Sequence, residues 1–116
     1  MKNTRAALRY AKAALSTSLD QNKEEAVATD MQEIVVVFED NQELAAFLDN
    51  PVVASKVKQD ALSKVFSALQ PLSSQLIALL TTNNRIDLLD QVAVAYLSLL
   101  EKHQGKETAV VTTAVA

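Results

Sequence analysis

Only three residues in this 116-residue chain, Pro51, Pro71 and Gly105, are strong breakers of regular structure. An all-β fold of many short strands needs far more turn-forming residues, whereas long helices need very few. A chain of this length corresponds to one domain and buries enough surface for a single core. The sequence therefore predicts an all-α fold.

Apolar residues recur at the helical spacing i, i+3, i+4 and i+7 in six segments. Residues 34–38 have strand propensity, but the helical spacing before them and the lack of a partner strand favour a helix. The predicted helices span residues 4–18, 21 or 22–38 (with Asn22 as a possible N-cap), 41–48, 55–69, 72–82 and 87–103. We therefore expect a six-helix bundle over residues 1–105.

The spacing also predicts which side of each helix faces the core. In helix 1 the predicted core face consists of Leu8, Ala11, Leu15 and Leu19. In helix 4 the predicted core face consists of Val57, Ala61, Leu62, Val65, Phe66 and Leu69, with Lys56, Lys58, Gln59 and Lys64 in solvent.

Residues 106–116 differ from the rest of the chain because they are β-branched and show no helical stripe. Gly105 is well placed to end the sixth helix in the left-handed conformation. A single strand is not stable alone in water. We therefore expect residues 106–116 to be a short extended tail, either a linker with the first strand of a second domain or a disordered end.

Two helices have more apolar surface than one buried stripe requires. Helix 5 adds Ile77 and Ala78 to a face that already contains Leu72, Leu76, Leu79 and Leu80, so it is either the centre of the bundle or one wall of a groove. Helix 1 has a second face of small residues around one aromatic ring: Ala6, Tyr10, Ala13, Ala14 and Thr17. Small residues allow another helix to approach closely, either from the same chain or from a partner.

The charge is distributed unevenly. Residues 1–19 carry +4 and the rest of the chain −7, for a net charge of −3. The acidic body argues against nucleic-acid binding, which requires a clustered basic face. A basic, acid-free first helix is also compatible with a mitochondrial transit peptide. Because the core needs the apolar face of this helix and no cleavage pattern follows, we predict that this segment is the first helix of the fold and not a transit peptide.

Few residues suggest catalysis, a cofactor or a metal site. The chain has no cysteine, no glycine-rich phosphate loop and no nucleophile elbow. Its single histidine, His103, is predicted near a helix end, where it interacts with the helix dipole. The carboxylates Asp87 and Asp90, and Glu24, Glu25 and Asp30, are interpreted as solvated faces. No run of 18 apolar residues exists, so no direct membrane insertion is expected.

Four segments, in order along the chain, resemble one family. Arg9–Ala14 (RYAKAA) is similar to the RYAKAL-type signature that opens the delta subunit of bacterial F-type ATP synthases, the counterpart of the mitochondrial oligomycin-sensitivity-conferring protein. Residues 47–51 (FLDNP), 76–86 (LIALLTTNNRI) and 108–114 (TAVVTTA) are similar to three further segments of that family. Each motif is weak alone, and their shared order makes the combination specific.

The resemblance implies a non-catalytic stator subunit that needs no cofactor. In that family a six-helix N-terminal domain sits on the catalytic head and binds the N-terminal helix of an alpha subunit between its first and fifth helices. The implied walls are Ala6, Tyr10, Ala13, Ala14 and Thr17 on helix 1, and Leu76, Leu79, Leu80 and Asn83 on helix 5. A second domain, of which residues 106–116 would be the start, contacts the peripheral-stalk b subunits.

One difference from the family and one alternative remain. Asn84 stands where many members have glycine, and asparagine tolerates the left-handed conformation that the turn requires.

The alternative function is a generic helical adaptor that binds another amphipathic helix. The Met1 start without a leader segment favours a bacterial protein, placed at the cytoplasmic face of the plasma membrane as part of the synthase.

Overall fold

The computed structural model describes residues 5–66 and 68–115, with side chains described for 5–66 and 68–105. Six α-helices follow one another along this part of the chain, with a single 3₁₀ turn at Ile86–Leu88 before the last. The helices are α1 (Arg5–Asp20), α2 (Glu24–Asp40), α3 (Gln42–Asp49), α4 (Ser55–Val65), α5 (Pro71–Thr82) and α6 (Leu89–Val115). The predicted six-helix, all-α fold is confirmed, and the helical prediction for residues 34–38 is confirmed too. The predicted first residue of helix 1, Thr4, lies outside the described residues.

Helix α6 is the element against which the first half of the chain packs. It has extensive contacts with both α1 and α2, whereas α5 contacts α4, α1 and α2. Residues along one broad side of α6 are buried: Leu89, Val92, Ala93, Ala95, Tyr96 and Leu100. Of the two possibilities for α5, the centre of the bundle or a wall beside α1, the packing favours the wall.

Tyr96 connects three helices inside this core. Its side chain is fully buried, and its hydroxyl donates a hydrogen bond to the Glu24 carbonyl oxygen (2.9 Å). The same hydroxyl lies 3.0 Å from Ser18 Oγ, which donates to the Leu15 carbonyl oxygen (2.8 Å). Burial, reinforced by the nearby charge of Glu24, raises the pKa of Tyr96 above its ordinary value, although the Ser18 hydrogen bond opposes the shift. The end of α1 and the start of α2 are thereby fixed to α6.

Helix α5 ends at an asparagine in the left-handed conformation. Asn84 has φ 60°, and the backbone N–H of Arg85 donates to the Leu80 carbonyl oxygen (2.7 Å). The N–H of Asn84 donates to the Thr81 carbonyl oxygen (3.0 Å), which completes a Schellman motif. Asparagine therefore forms the turn here, as its tolerance of the left-handed conformation predicts.

Helix α1 ends in the same way, and this corrects the prediction for Asn22. Asn22 has φ 58°, and Lys23 N–H donates to the Ser18 carbonyl oxygen (2.8 Å). Because Asn22 terminates α1, it does not serve as the N-cap of α2; that position is Lys23, which makes no side-chain capping hydrogen bond. Asparagine occurs at both kinds of site because its short side chain suits either conformation.

Two predicted core faces are rotated in the structure. In α1, Ala7 is fully buried and Leu8 is 37% exposed, because small side chains allow α1 to lie close against α6. In α4, Val57 and Val65 are exposed, and the buried stripe is Lys58 and Leu62, continued by Phe66 just after the helix. Lysine tolerates this position because its aliphatic stem packs against apolar surface. Helix α4 also ends at Val65, earlier than the predicted residue 69.

The chain beyond Gly105 is also different from the prediction. Helix α6 continues through Gly105 to Val115. The predicted helix end at Gly105 is therefore wrong, and so is the extended tail as far as Val115. Ala116 lies outside the described residues. A helix satisfies its backbone hydrogen bonds within one segment, whereas a strand needs a neighbour that the described residues do not provide. The division into domains at residue 105 stays a prediction.

Candidate functional site

Helices α1 and α5 lie side by side and leave a groove between them. The groove encloses about 190 Å³ and is lined by Ala13, Ala14, Thr17, Leu72, Gln75, Leu76 and Leu79. Asn83 Nδ2 donates a hydrogen bond to the Tyr10 hydroxyl oxygen (2.7 Å) farther along the same two helices. Because Tyr10 pairs with the end of α5 while Thr17 lies with the residues near its start, the two helices run antiparallel along the groove.

The start of α5 is fixed by a carboxylate on α2. Asp30 Oδ2 accepts hydrogen bonds from the Gln70 backbone N–H (2.8 Å) and from Ser73 Oγ (2.7 Å). A carboxylate at a helix N-terminus satisfies free N–H groups and interacts favourably with the helix dipole. Asp30 is only 7% exposed, so its interpretation as part of a solvated face is wrong. The sequence around Asp30 could not show that it is buried, because its hydrogen-bond partner Gln70 is 40 residues away.

The nine residues predicted as groove walls divide into four groups. Five of them line the groove: Ala13, Ala14, Thr17, Leu76 and Leu79. Tyr10 and Asn83 form the hydrogen bond between the helices, and Ala6 is partly buried against the core. Leu80 is 0% exposed, so it belongs to the core and cannot contact a partner. Binding by these residues stays a prediction.

Two lining residues, Leu72 and Gln75, were not among the predicted walls. They precede Leu79 by seven and four residues, so all three lie on one side of α5. The predicted apolar face of helix 5 included Leu72, but the predicted walls did not, and Gln75 was in neither set. Helical spacing from Leu79 alone identifies both positions.

Leu79 is the most prominent apolar side chain of the groove. It is 47% exposed, although its neighbours Leu76 and Leu80 are buried. The exposed apolar side of α5 is bordered by the small residues Ala13 and Ala14 on α1. No side chain within Pro71–Thr82 carries a charge. The groove thus presents the apolar, shape-defined surface that amphipathic helices bind.

A larger cleft, of about 700 Å³, lies between α2 and α6. Its lining is mainly polar and includes Glu25, Thr29, Gln32, Ser98 and Glu101. Such a surface stays hydrated and offers few apolar anchors to a helix. Among the residues whose side chains are described, no three His, Cys, Asp or Glu are placed to hold a metal ion. The smaller groove between α1 and α5 is therefore the better candidate site.

Comparison with known proteins identifies the family. The sequence profile of the ATP synthase delta (OSCP) subunit matches residues 6–116. Proteins named ATP synthase subunit delta are similar over nearly the whole chain: 42% identity over 99% of it in Flavobacterium johnsoniae, 36% over 100% in Flavobacterium psychrophilum, and 32% over 98% in Trichormus variabilis. The chain spans 65%, 66% and 62% of the length of these three relatives. The chain therefore belongs to the ATP synthase delta (OSCP) subunit family.

Proposed function

We propose that this chain is a non-catalytic stator component of an F-type ATP synthase. It binds the N-terminal helix of an alpha subunit in the groove between α1 and α5 and so connects the catalytic head to the peripheral stalk. The observation that carries this function is the apolar groove between two antiparallel helices, with Leu79 exposed at its edge. Family membership supports the assembly in which such a groove would act.

The dimensions of the groove suit a bound helix. From Tyr10 to Thr17 the α1 wall covers seven residue steps, which corresponds to roughly 10 Å at the rise of an α-helix. The side chains at positions i, i+3, i+4 and i+7 of an incoming helix cover the same length. Its large apolar side chains would contact Leu72, Leu76 and Leu79, while its backbone lies near Ala13 and Ala14.

A stator transmits force and carries out no bond chemistry. The rotor applies torque to the catalytic head, and the stator must hold the head still without slipping. Nanomolar binding corresponds to about 12 kcal/mol. A few well-packed anchors supply most of such energy, and Leu79 and Tyr10 are the proposed anchors in this groove.

We assign the contact with the peripheral stalk to a part of the protein other than the groove. Binding to the peripheral-stalk b subunits is assigned to a further domain, in keeping with relatives that are longer than the chain. None of the described helices is long and apolar enough to cross a membrane. We place the protein at the cytoplasmic face of a bacterial plasma membrane, as a peripheral part of the synthase.

The function is tested with a synthetic peptide of the alpha-subunit N-terminus from the same organism. Leu79→Asp places a charge in the groove, and Tyr10→Ala removes an aromatic ring beside it, so both should weaken binding at least about tenfold. Val94→Asp is the matched control because Val94, on α6, is also 47% exposed and does not line the groove. Titration calorimetry measures the affinities, and circular dichroism checks that each variant is folded.

Two outcomes would contradict the proposal. Unchanged affinity in Leu79→Asp would exclude this groove as the binding site. Equal affinity for the alpha-subunit peptide and for an unrelated amphipathic helix would favour the generic adaptor instead.

A further inference from the structure

Three basic residues form a stripe along the solvent side of α1, the helix that forms one wall of the groove. Arg5, Arg9 and Lys12 are spaced i, i+4 and i+7, so they lie on one side of the helix. Each immediately precedes a residue of the second face of α1, namely Ala6, Tyr10 and Ala13. All three basic side chains are exposed. We refer to Arg5, Arg9 and Lys12 as the basic rim.

Within the part of the chain whose side chains the structure describes, no acidic residue offsets the charges of Arg9 and Lys12 in the basic rim. Residues 5–19 contain no acidic side chain, and the opposite wall, α5, has no charged residue. Neither Arg9 nor Lys12 forms an ion pair with any carboxylate whose position the structure describes. The groove is therefore bordered by positive charge on one side, in a chain whose net charge is −3.

We propose that the groove selects an amphipathic helix whose apolar stripe is flanked by acidic residues. Opposite charges at the edge of an interface attract the correct partner and repel a partner of the wrong sign. The basic rim lies toward the Tyr10–Asn83 end, whereas Asp20 is exposed at the other end of α1. The acidic residues of the bound helix should therefore lie near Tyr10. This specificity rests on the helix-docking function proposed above.

The basic rim and the apolar groove should affect different rate constants. Exposed charges act over several ångströms before contact, so they raise the association rate and lose their effect in salt. Buried apolar contacts form only in the complex, so they slow dissociation. A role of Arg9 and Lys12 in packing alone would instead change dissociation at every salt concentration.

The first test compares two double variants that remove the same charge. Arg9→Gln/Lys12→Gln changes the basic rim, and Lys56→Gln/Lys64→Gln changes two exposed lysines of α4 that do not line the groove. Binding of the alpha-subunit peptide is followed by stopped-flow fluorescence at about 0.05 M and about 0.5 M salt. We expect the rim variant to lower the association rate about five- to tenfold at low salt and less than about twofold at high salt. The α4 variant should lower it less than about twofold.

Equal effects of the two double variants would show that only net charge matters, and this result would overturn the proposed selection. An effect of the rim variant that persists unchanged at high salt would do the same. In either case continued binding of the peptide would leave the proposed stator function standing.

The second test uses two designed helical peptides with the same leucine stripe, flanked by glutamate in one and by lysine in the other. The glutamate peptide should bind at least about tenfold more tightly at low salt, and Arg9→Gln/Lys12→Gln should remove most of this preference. If the glutamate peptide binds and the alpha-subunit peptide does not, the selection stands and the stator function fails. Equal binding of the two designed peptides, or no binding of either, would overturn the selection.

Discussion

The two tyrosines of the chain have opposite roles in the same fold. Tyr96 is completely buried and connects α6 to the end of α1 and the start of α2. Tyr10 is partly buried on the groove side of α1 and accepts a hydrogen bond from exposed Asn83. Both hydroxyls bond to helices that are distant in the sequence, so the presence of such a bond does not distinguish the two tyrosines. The difference lies in access to water.

Burial determines what happens when either hydroxyl is lost. Without the Tyr96 hydroxyl, the Glu24 carbonyl oxygen loses a donor and Ser18 Oγ loses a neighbour inside the core, where water does not replace them. Without the Tyr10 hydroxyl, the Asn83 amide can bond to water. Tyr96 is therefore a structural residue, whereas Tyr10 is available for recognition.

The largest expected difference between the two tyrosines is in the loss of folding stability when each ring is truncated to alanine. Tyr96→Ala should lower the free energy of unfolding by about 3–5 kcal/mol, because it leaves a cavity and removes the hydrogen bonds of Tyr96. Tyr10→Ala should lower it by less than about 2 kcal/mol, because part of the ring is already in solvent. Urea titration followed by circular dichroism measures both values. Similar losses in the two variants would contradict the assignment of different roles.

The same distinction explains what the sequence could predict about the fold. Helix positions follow from periodicity, which is a local property, and the number and order of the six helices were predicted correctly, although the ends of α4 and α6 were not. The side of a helix that faces the core depends on its neighbours. In α1 a row of alanines packs against α6 and leaves Leu8 at the edge; in α4 the stripe through Leu62 takes Lys58 inward and leaves Val57 in solvent. Hydrophobicity alone would predict the opposite, with Leu8 and Val57 buried and Lys58 in solvent.

The candidate site was predictable to a similar extent. The surplus apolar surface on two helices was visible in the sequence, and Leu79 lies in the groove that the structure forms between them. The depth of each residue was not visible: Leu80, one position later, is in the core. The bond from Asn83 to Tyr10 spans 73 residues, and neither side chain indicates its partner in the sequence.

A smaller effect should appear at alkaline pH. The pKa of Tyr96 is raised above 10.0, chiefly by burial, so its ionised form is less favourable in the folded protein than in the unfolded chain. The stability from neutral Tyr96 is therefore fully present below pH 10 and is lost as the pH rises through the raised pKa. Tyr96→Phe should lower stability at pH 7 by about 1–3 kcal/mol and show a weaker decline as the pH rises above 10.

Tyr10→Phe is the control for that experiment, because it removes one tyrosine hydroxyl and keeps Tyr96. Chemical unfolding at several pH values compares the two variants, and Tyr96→Phe should weaken the alkaline decline more because it removes the buried hydroxyl. An equal change in both phenylalanine variants would show that the decline does not come from Tyr96.

The smallest effect is expected at the hydrogen bond between Tyr10 and Asn83. Tyr10→Phe and Asn83→Ala should each change the free energy of unfolding by less than about 0.5 kcal/mol, because solvent replaces an exposed hydrogen bond. Their effect on peptide binding should be larger, since the bond holds both walls of the groove in one position before a partner arrives. A double-mutant cycle measured in the free protein and in its complex with the alpha-subunit peptide separates the two contributions. A coupling energy above about 1 kcal/mol in the free protein would make Tyr10 a structural residue like Tyr96, and the contrast between the two tyrosines would then no longer hold.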